Sequence, residues 1–262
     1  MLSKICTVLL IGVIFLSTYS HAATVGNPVE AIGKGELSLS IEDNAVLDSN
    51  IDNDGEIADM KLGINHQIGT KITYGLTDPV NVYCKIGFAD LNQRFIDSAG
   101  HTYEIEYDYD MLVGAGCSYD LGELKGVYLT LDTQINWWRC DVDTVTYTGQ
   151  KATTPSGRVH NTEFQAALFG KKRFKIPYCG GRFSITPYAG PILTYFHTMT
   201  SSEIEFVTAD SSSKSVGWST NNENFLGAVL GFDFLMHDKI RLNAESRFGP
   251  EIAVSGGLTY IF

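Results

Sequence analysis

The chain lacks the sequence features of several large protein classes. After its first 22 residues it has no run of about 20 apolar residues, the length that a membrane-spanning helix needs. It has no C-x-x-C pair, so cysteine spacing gives no support to a zinc or thioredoxin-like site. The G-x-S-x-G and H-E-x-x-H motifs are absent as well. A β-barrel is not excluded, because its outward and inward residues alternate and cancel in a hydropathy window.

Basic residues are also scarce. The sequence has 19 Lys and Arg against 30 Asp and Glu, a net charge of −11 with histidine neutral. Such an acidic chain disfavours nucleic acid and anionic membrane surfaces as partners. It suits an exposed surface that stays soluble by self-repulsion or attracts cations.

The N-terminal residues have the pattern of a signal peptide. Lys4 precedes an apolar stretch from Cys6 to Leu16, and Ser20-His21-Ala22 is a small-residue cleavage pattern. The alternative, a membrane anchor, is disfavoured because the apolar stretch is short for a span. We therefore expect a signal peptide at 1–22 and one mature domain at 23–262, exported into a compartment that permits disulfides.

Alternating apolar and polar residues recur along nearly the whole mature chain. In Val80–Phe88 the odd and even positions fall on opposite faces, which is the side-chain period of a strand. The same pattern predicts about ten strands, near 34–43, 57–76, 80–96, 102–120, 125–147, 158–174, 182–206, 217–235, 239–248 and 251–262.

The connections between these strands alternate in length. Short turns are expected at 77–79, 121–123 and 237–238, and longer polar loops at 44–56, 148–157 and 207–216. This asymmetry is typical of outer-membrane barrels, whose short turns are periplasmic. Every backbone polar group in lipid must be paired, so the strands must close on themselves. The predicted fold is a closed antiparallel up-and-down transmembrane β-barrel of about ten strands.

The last strand carries outward apolar residues that end on an aromatic: Ile252, Val254, Leu258, Tyr260 and Phe262. This pattern resembles the C-terminal signal that the barrel-assembly machinery recognises. With the turn sequence at 74–79, the mature chain resembles the opacity/OmpA-like outer-membrane barrel superfamily, without its peptidoglycan-binding domain. The resemblance implies a bacterial outer-membrane location, contact with outer-membrane lipid and assembly by that machinery. It implies no activity and no cofactor.

Many charges fall on the predicted inward faces. Barrels of about eight strands are filled by side chains, whereas aqueous channels appear at about 16 strands. We expect a salt-bridge network that plugs the lumen, formed by Glu36, Lys61, Lys71, Lys85, Asp132, Asp233, Arg241, Glu245 and Arg247. The alternative is a narrow porin for small solutes or cations.

Two acidic segments suggest cation sites. Glu104, Glu106, Asp108 and Asp110 share a predicted inward face, either as a vestibule for cations or as a part of the strand that extends above the membrane into solvent. Asp48, Asn50, Asp52 and Asp54 resemble part of a calcium loop. Position twelve of that loop would be Lys61 instead of a bidentate Glu, so we expect no metal site there.

Cysteines and histidines give the remaining candidates. Cys84 and Cys117 face outward on neighbouring predicted strands, so they either form a cross-strand disulfide or remain two small lipid-facing residues. Cys140 and Cys179 fall at opposite ends of the barrel. A rim enzyme would need two of His101, His160 and His197 to converge with an acid or serine. No motif supports this, and we expect a structural or surface-interacting protein whose loops bind an extracellular ligand.

Overall fold

The computed structural model describes residues 32–51, 57–176, 183–222 and 225–262, and nearly all of them form antiparallel strands. The strands are β1 (Leu37–Asn50), β2 (Ile57–Leu62), β3 (Asn65–Thr77), β4 (Val80–Asp97), β5 (Thr102–Leu124), β6 (Val127–Tyr147), β7 (Gln150–Lys151), β8 (Thr153–Lys171), β9 (Phe174–Lys175), β10 (Phe183–Val207), β11 (Ser213–Val216), β12 (Ser219–Asn221), β13 (Leu226–Met236), β14 (Ile240–Phe248) and β15 (Glu251–Ile261). No helix in this part of the chain is long and apolar enough to cross a membrane.

Ten of the described strands close a ring. Each long strand pairs with the next along the chain, in the order β1-β3-β4-β5-β6-β8-β10-β13-β14-β15. Antiparallel pairing of β15 with β1, for example Tyr260 with Leu39, completes the circle. Closure leaves the ten-stranded ring without a free edge, as lipid requires. The predicted fold class and strand number are confirmed.

Tight turns at 78–79, 125–126 and 237–239 join strands at the end that holds the C-terminus of β15. Lys125 and Gly126 both have positive φ, as do His237 and Asp238. Positive φ at both central residues defines the type I′ hairpin, whose twist matches that of the flanking strands. The turn predicted at 121–123 is wrong, because β5 continues to Leu124 past a register shift between Asp120 and Gly122.

Large apolar side chains cover the outside of the ring. On β5 the exposed residues run from Met111 through Val113 to Tyr119. The eight steps from Met111 to Tyr119 correspond to about 27 Å of strand, and a tilt of about 40° reduces this to a height of about 21 Å. This value is near the apolar band of about 25 Å that is usual for outer-membrane barrels.

The barrel is much taller on one side than on the other. On the short side, β14 and β15 meet at a two-residue connection, Gly249 and Pro250. On the tall side, β4, β5, β6, β8 and β10 continue well past the belt, and β2 and β12 add to them. We call this taller part the extracellular head. The long loops predicted at 44–56, 148–157 and 207–216 are wrong in part, because 44–50, 153–157 and 213–216 are strands.

A bulge in β5 reverses its faces between belt and head. Ala89 of β4 pairs with Asp110, but Leu91 pairs with Tyr107, so β5 carries one extra residue there. An extra residue shifts the two-residue period by one step. Met111 therefore faces outward, whereas Tyr107 is 5% exposed and faces inward.

Candidate functional site

The lower lumen is filled by buried charged and polar side chains. At its centre the carboxylate of Glu42 forms two ion pairs. One is with Nζ of Lys71 at 2.8 Å and the other with Nζ of Lys85 at 3.0 Å. Tyr83 lies beside both lysines, with their ammonium nitrogens 5.3 and 5.7 Å from its ring centroid. Its hydroxyl donates a hydrogen bond to Asp132 at 2.8 Å. Buried charges are tolerated when they are paired in this way.

A second set of buried polar and charged side chains fills the rest of the lower lumen. Tyr188 donates a hydrogen bond to Glu245 at 2.9 Å, and Arg247 forms an ion pair with Glu251 at 3.0 Å. Asn136 and Gln165 donate to Glu163 at 3.0 and 2.7 Å. Asp233 and Arg241 are buried in the same region.

Two residues of the predicted network, Glu36 and Lys61, lie outside the lumen, so their assignment to it is wrong. Glu36 is exposed just before β1, and its carboxylate accepts a hydrogen bond from the backbone N–H of Gly33 at 2.7 Å. Lys61 is exposed on β2, because a break at Gly63–Ile64 divides the single strand expected at 57–76 and reverses the faces. Leu62 points into the interior instead.

The interior of the head is apolar and continues upward from the polar lumen. Its centre is formed by Phe95, Trp138 and Phe196, which are between 0 and 6% exposed. Phe95 stacks on Tyr103 with ring centroids 4.6 Å apart, and meets Trp218 edge-on at 5.5 Å. Aromatic pairs at such distances contribute beyond their buried area. This apolar core closes the extracellular end of the lumen.

A bridge across the short side of the barrel closes the head. Ile51, just after β1, pairs with Asn222, just after β12. The Asn222 amide is buried, donating to the carbonyl of Thr194 at 2.9 Å and accepting from the N–H of Phe196 at 2.8 Å. The head is therefore a second ring above the belt, formed without β13, β14 and most of β15.

The acidic run of β5 lies on the outside of the head. Glu104, Glu106 and Asp108 are exposed, whereas Tyr103, Ile105 and Tyr107 are buried. The inward vestibule for cations is therefore wrong, since the bulge at 108–110 turns these carboxylates outward. The alternative of an exposed extension above the membrane is the arrangement observed.

The cysteines and the calcium-loop candidates have different outcomes. Cys84 pairs with Ala115 and Cys117 with Val82, and both thiols are free. Of the two alternatives, the arrangement observed is two small exposed residues, because Cys84 and Cys117 are offset diagonally instead of standing opposite. Cys179 lies outside the described residues, as do Asp52 and Asp54. Asp48 and Asn50 belong to β1, and the calcium-loop hypothesis remains untested.

The three histidines predicted near the rim separate into two places. His160 and His197 converge on an outward groove of about 400 Å³ between β6, β8 and β10. Nδ1 of His197 donates to the amide oxygen of Asn221 at 2.8 Å, so no carboxylate orients this ring. Ser201 lines the same groove, and the amide of Asn221 takes the place beside His197 that a carboxylate has in a hydrolytic triad.

His101 lies at the extracellular tip of the head. Its Nδ1 is 2.9 Å from Asp97, which also accepts from the N–H groups of Ala99 and His101, both at 2.9 Å. Partial burial would raise the pKa of Asp97, but the hydrogen bonds from His101 and Ala99 outweigh it and hold the pKa below its ordinary value. His101 also lines a cleft of about 300 Å³ with Tyr147, Gln150, Thr208 and Asp210.

Sequence analysis missed a third histidine cluster, around His66 on the outer wall. His66 contacts Asp43 at 2.6 Å and the hydroxyl of Tyr109 at 2.7 Å, while its N–H donates to Asp90. These residues come from four neighbouring strands and are separated by up to 66 positions in sequence. The alternation of each strand gave no signal that they would meet.

A ring of ten strands with an apolar outer belt defines a bacterial outer-membrane β-barrel. The family model for the autotransporter beta-domain matches residues 108–244, just over half of the sequence. The chain belongs to the autotransporter beta-domain family.

Several solved barrels are similar to the chain at low sequence identity. The translocator domain of autotransporter NalP from Neisseria meningitidis is 12% identical, with 99% of this chain and 98% of that chain covered and a TM-score of 0.47. The transport unit of autotransporter AIDA-I from Escherichia coli is 11% identical, with 89% and 92% covered and a TM-score of 0.37. Outer membrane protein OprG from Pseudomonas aeruginosa is 10% identical, with 88% and 97% covered and a TM-score of 0.32. No curated protein matches.

Proposed function

We propose that the protein is a closed, non-conducting outer-membrane barrel that presents its folded head to partners outside the cell. The observation that carries the proposal is the continuous filling of the interior. The paired charges around Glu42 fill the lower lumen, and the apolar core around Trp138 fills the head. Ions would have to displace both layers, and the upper layer consists mainly of apolar and aromatic side chains.

The outer surface of the head supports a role in surface interaction. Glu104, Glu106 and Asp108 form an exposed acidic edge on β5. The tip carries the cleft lined by His101 and Tyr147, of a size that suits a small ligand. Both features lie above the apolar belt, where a barrel with periplasmic short turns meets the cell exterior.

A passage for polypeptide is disfavoured by the same filling. NalP is described as a translocator domain. In this chain Lys71 and Trp138, each at most 2% exposed, occupy the space that a passing segment would need. The alternative function is a narrow porin for small solutes or cations, which would use the polar lower lumen.

Liposome swelling tests the proposal against the porin alternative. The mature protein is reconstituted into multilamellar liposomes, which are then diluted into isotonic solutions of glycine, arabinose or sucrose. We expect swelling no faster than in empty liposomes for all three solutes, with an open porin as the positive control. Swelling that slows as solute size increases would establish a pore and overturn the proposal.

Several finer assignments complete the proposal. Residues 1–22 act as the signal peptide and 23–262 as the mature domain. The outward residues Ile252, Leu258 and Tyr260 of β15 and Phe262 just after it are exposed, so the assembly machinery would recognise them there. Val254 lies on the same face. Kinship with the opacity/OmpA-like superfamily and the lack of catalysis belong to this proposal as well.

A further inference from the structure

The sheet changes from belt to head at one level, and β4 is the strand whose two edges both change there. On one edge, β3 pairs with β4 only as far as Gln67 with Ala89, and β2 resumes the pairing at Leu62 with Gln93. On the other edge, the extra residue of β5 lies opposite Asp90. The backbone ladder is therefore interrupted on both sides of β4 at this level, and side chains supply the connection between the two rings.

The cluster around His66 lies at this junction on the outer wall. Its members Asp43, His66, Asp90 and Tyr109 belong to β1, β3, β4 and β5, so four neighbouring strands meet in one group of side chains. The backbone N–H of His66 donates to the carboxylate of Asp90, and the ring of Tyr109 meets the imidazole edge-on with centroids 5.8 Å apart. The exposed apolar residues of β5 begin just below, at Met111. The cluster therefore lies at the upper edge of the belt.

The contacts of the His66 imidazole require a hydrogen on both ring nitrogens. Nε2 lies 2.6 Å from a carboxylate oxygen of Asp43, which only accepts, so Nε2 carries a hydrogen. Nδ1 lies 2.7 Å from the hydroxyl oxygen of Tyr109, and this hydroxyl donates its own hydrogen to Asp90. Nδ1 is then the donor to Tyr109. An imidazole with two N–H groups is the positively charged form, so the geometry is that of a protonated histidine.

Carboxylates on two neighbouring strands favour the protonated ring. The hydrogen bond to Asp43 raises the pKa of His66, and although partial burial opposes it, the charges of Asp43 and Asp90 raise the pKa further above its ordinary value of 6.5. A histidine with a raised pKa stabilises the fold below its ordinary value. This stabilisation is lost as pH rises through the pKa of the folded protein.

The other titratable groups that face the cluster come from β5. Burial, and then the charge of Asp90, raise the pKa of Tyr109 to about 12, so its hydroxyl keeps its hydrogen while the imidazole titrates. Asp108 is exposed to solvent, and Asp110 is paired with Arg139 of β6 at 3.1 Å. Near neutral pH the proton of the imidazole is therefore the one that this cluster gains or loses.

We propose that protonated His66 links the head to the barrel, and that loss of its proton loosens this link. The protonated ring joins β1 to β5 through Asp43 and Tyr109, and Tyr109 in turn holds Asp90 opposite the bulge. Without the proton, Nδ1 no longer donates, so the hydroxyl of Tyr109 serves either Nδ1 or Asp90 but not both. The two carboxylates then lack the positive charge between them. The link lies in the outer wall, so the inference does not depend on whether the lumen conducts.

Imidazole NMR of the detergent-folded mature protein tests the protonation step. The signal of His66 is identified by its loss in His66→Gln, and its chemical shift is followed against pH. We expect a titration midpoint above the ordinary 6.5. Asp43→Asn should weaken proton binding by His66 about tenfold, because the imidazolium loses a hydrogen bond to a charged partner. A wild-type midpoint at or below 6.5 would overturn the proposal.

Acrylamide quenching of tryptophan fluorescence measures whether the head loosens. Trp138 and Trp218 are buried in the core of the head, and Trp137→Phe removes the third tryptophan, which is less buried. In this background we expect quenching to increase as the pH rises from about 6 to about 9, with the same midpoint as the NMR titration of His66. Adding His66→Gln, which carries no charge at either pH, should make quenching equal at both.

A matched control and a second variant keep the test decisive. His237→Asn removes a histidine from the tight turn at the other end of the barrel, where φ is positive and Asn is tolerated, and it should keep the pH response. If His66→Gln fails to fold, Asp43→Asn replaces it and should shift the response to lower pH. Quenching that stays constant while His66 titrates would contradict the proposal, and so would a response that persists unchanged in His66→Gln or Asp43→Asn.

Discussion

Ile51 and Asn222 pair across the short side of the barrel, and this bridge closes the head above the membrane. The two residues are 171 positions apart in sequence. Ile51 follows β1 and Asn222 follows β12, so the bridge connects β10 to β1 above the level where β13, β14 and most of β15 lie. The strands of the tall side therefore belong to two rings. One is the ten-stranded ring in lipid, and the other is the smaller ring of the head outside the membrane.

Asn222→Ala should loosen the head and leave the ten-stranded ring intact. The substitution leaves the carbonyl of Thr194 and the N–H of Phe196 without their side-chain partner. Each unsatisfied buried group costs about 1–3 kcal/mol. We expect rapid proteolysis of the head in the folded protein, with unchanged heat-shift mobility of the barrel. Ser219→Ala, at an exposed position of β12, is the control.

Glu42→Gln should destabilise the whole barrel. The change leaves Lys71 and Lys85 without their carboxylate, and breaking a buried ion pair costs about 3–5 kcal/mol. Urea unfolding in lipid vesicles measures the difference in the free energy of unfolding. Glu104→Gln, on the exposed face of β5, should change stability little, because its pairing with Arg94 is solvent-exposed. Equal effects of both substitutions would refute the lumen network.

Cysteine labelling should show that the bulge in β5 reverses which of its side chains face outward in the head. In a background without native cysteines, Glu106→Cys should react on whole cells with a membrane-impermeant maleimide, because the side chain faces the exterior. Ile105→Cys, 1% exposed in the wild type, should react only after unfolding. The opposite pattern would restore the inward acidic vestibule and contradict the register between β4 and β5.

The loop after β10 should respond to acid. Hydrogen bonds from the hydroxyls of Thr208 and Ser212 and the N–H of Ser212 lower the pKa of Asp210 to about 2. A carboxylate with a lowered pKa stabilises the fold above its ordinary value of 3.8 and stops doing so as pH falls through about 2. A dye at Ser213→Cys should report loop opening near pH 2. The same dye in Asp210→Asn should show no transition there.

Strand number and closure could be predicted from the sequence because the two-residue alternation persists through the part of each strand that forms the ring. Val82, Cys84, Ile86 and Phe88 face outward as their pattern indicated. The head could not be predicted, because Tyr103, Ile105 and Tyr107 alternate equally well whether they face lipid or an apolar core. Only the pairing of β5 with β4 shows the extra residue that decides between the two.

The lumen network could be predicted in part for the same reason. Lys71, Asp132, Asp233, Arg241, Glu245 and Arg247 are buried as expected, since they lie in the regular part of the ring. Glu36 and Lys61 lie where the strand period begins or breaks. Glu42, the partner of both central lysines, is missing from the predicted network. The sequence of one strand does not show which charges meet across the lumen.

Single-channel recording in planar bilayers tests the closed lumen most directly. After insertion of the mature protein, confirmed by its heat-shift mobility, the current is followed in 1 M KCl at both polarities. Paired charges below and an apolar core above predict a baseline without steps, both for wild type and for His101→Ala at the tip. Stable, repeated conductance steps from the wild-type protein would show an open path through the lumen and contradict the account.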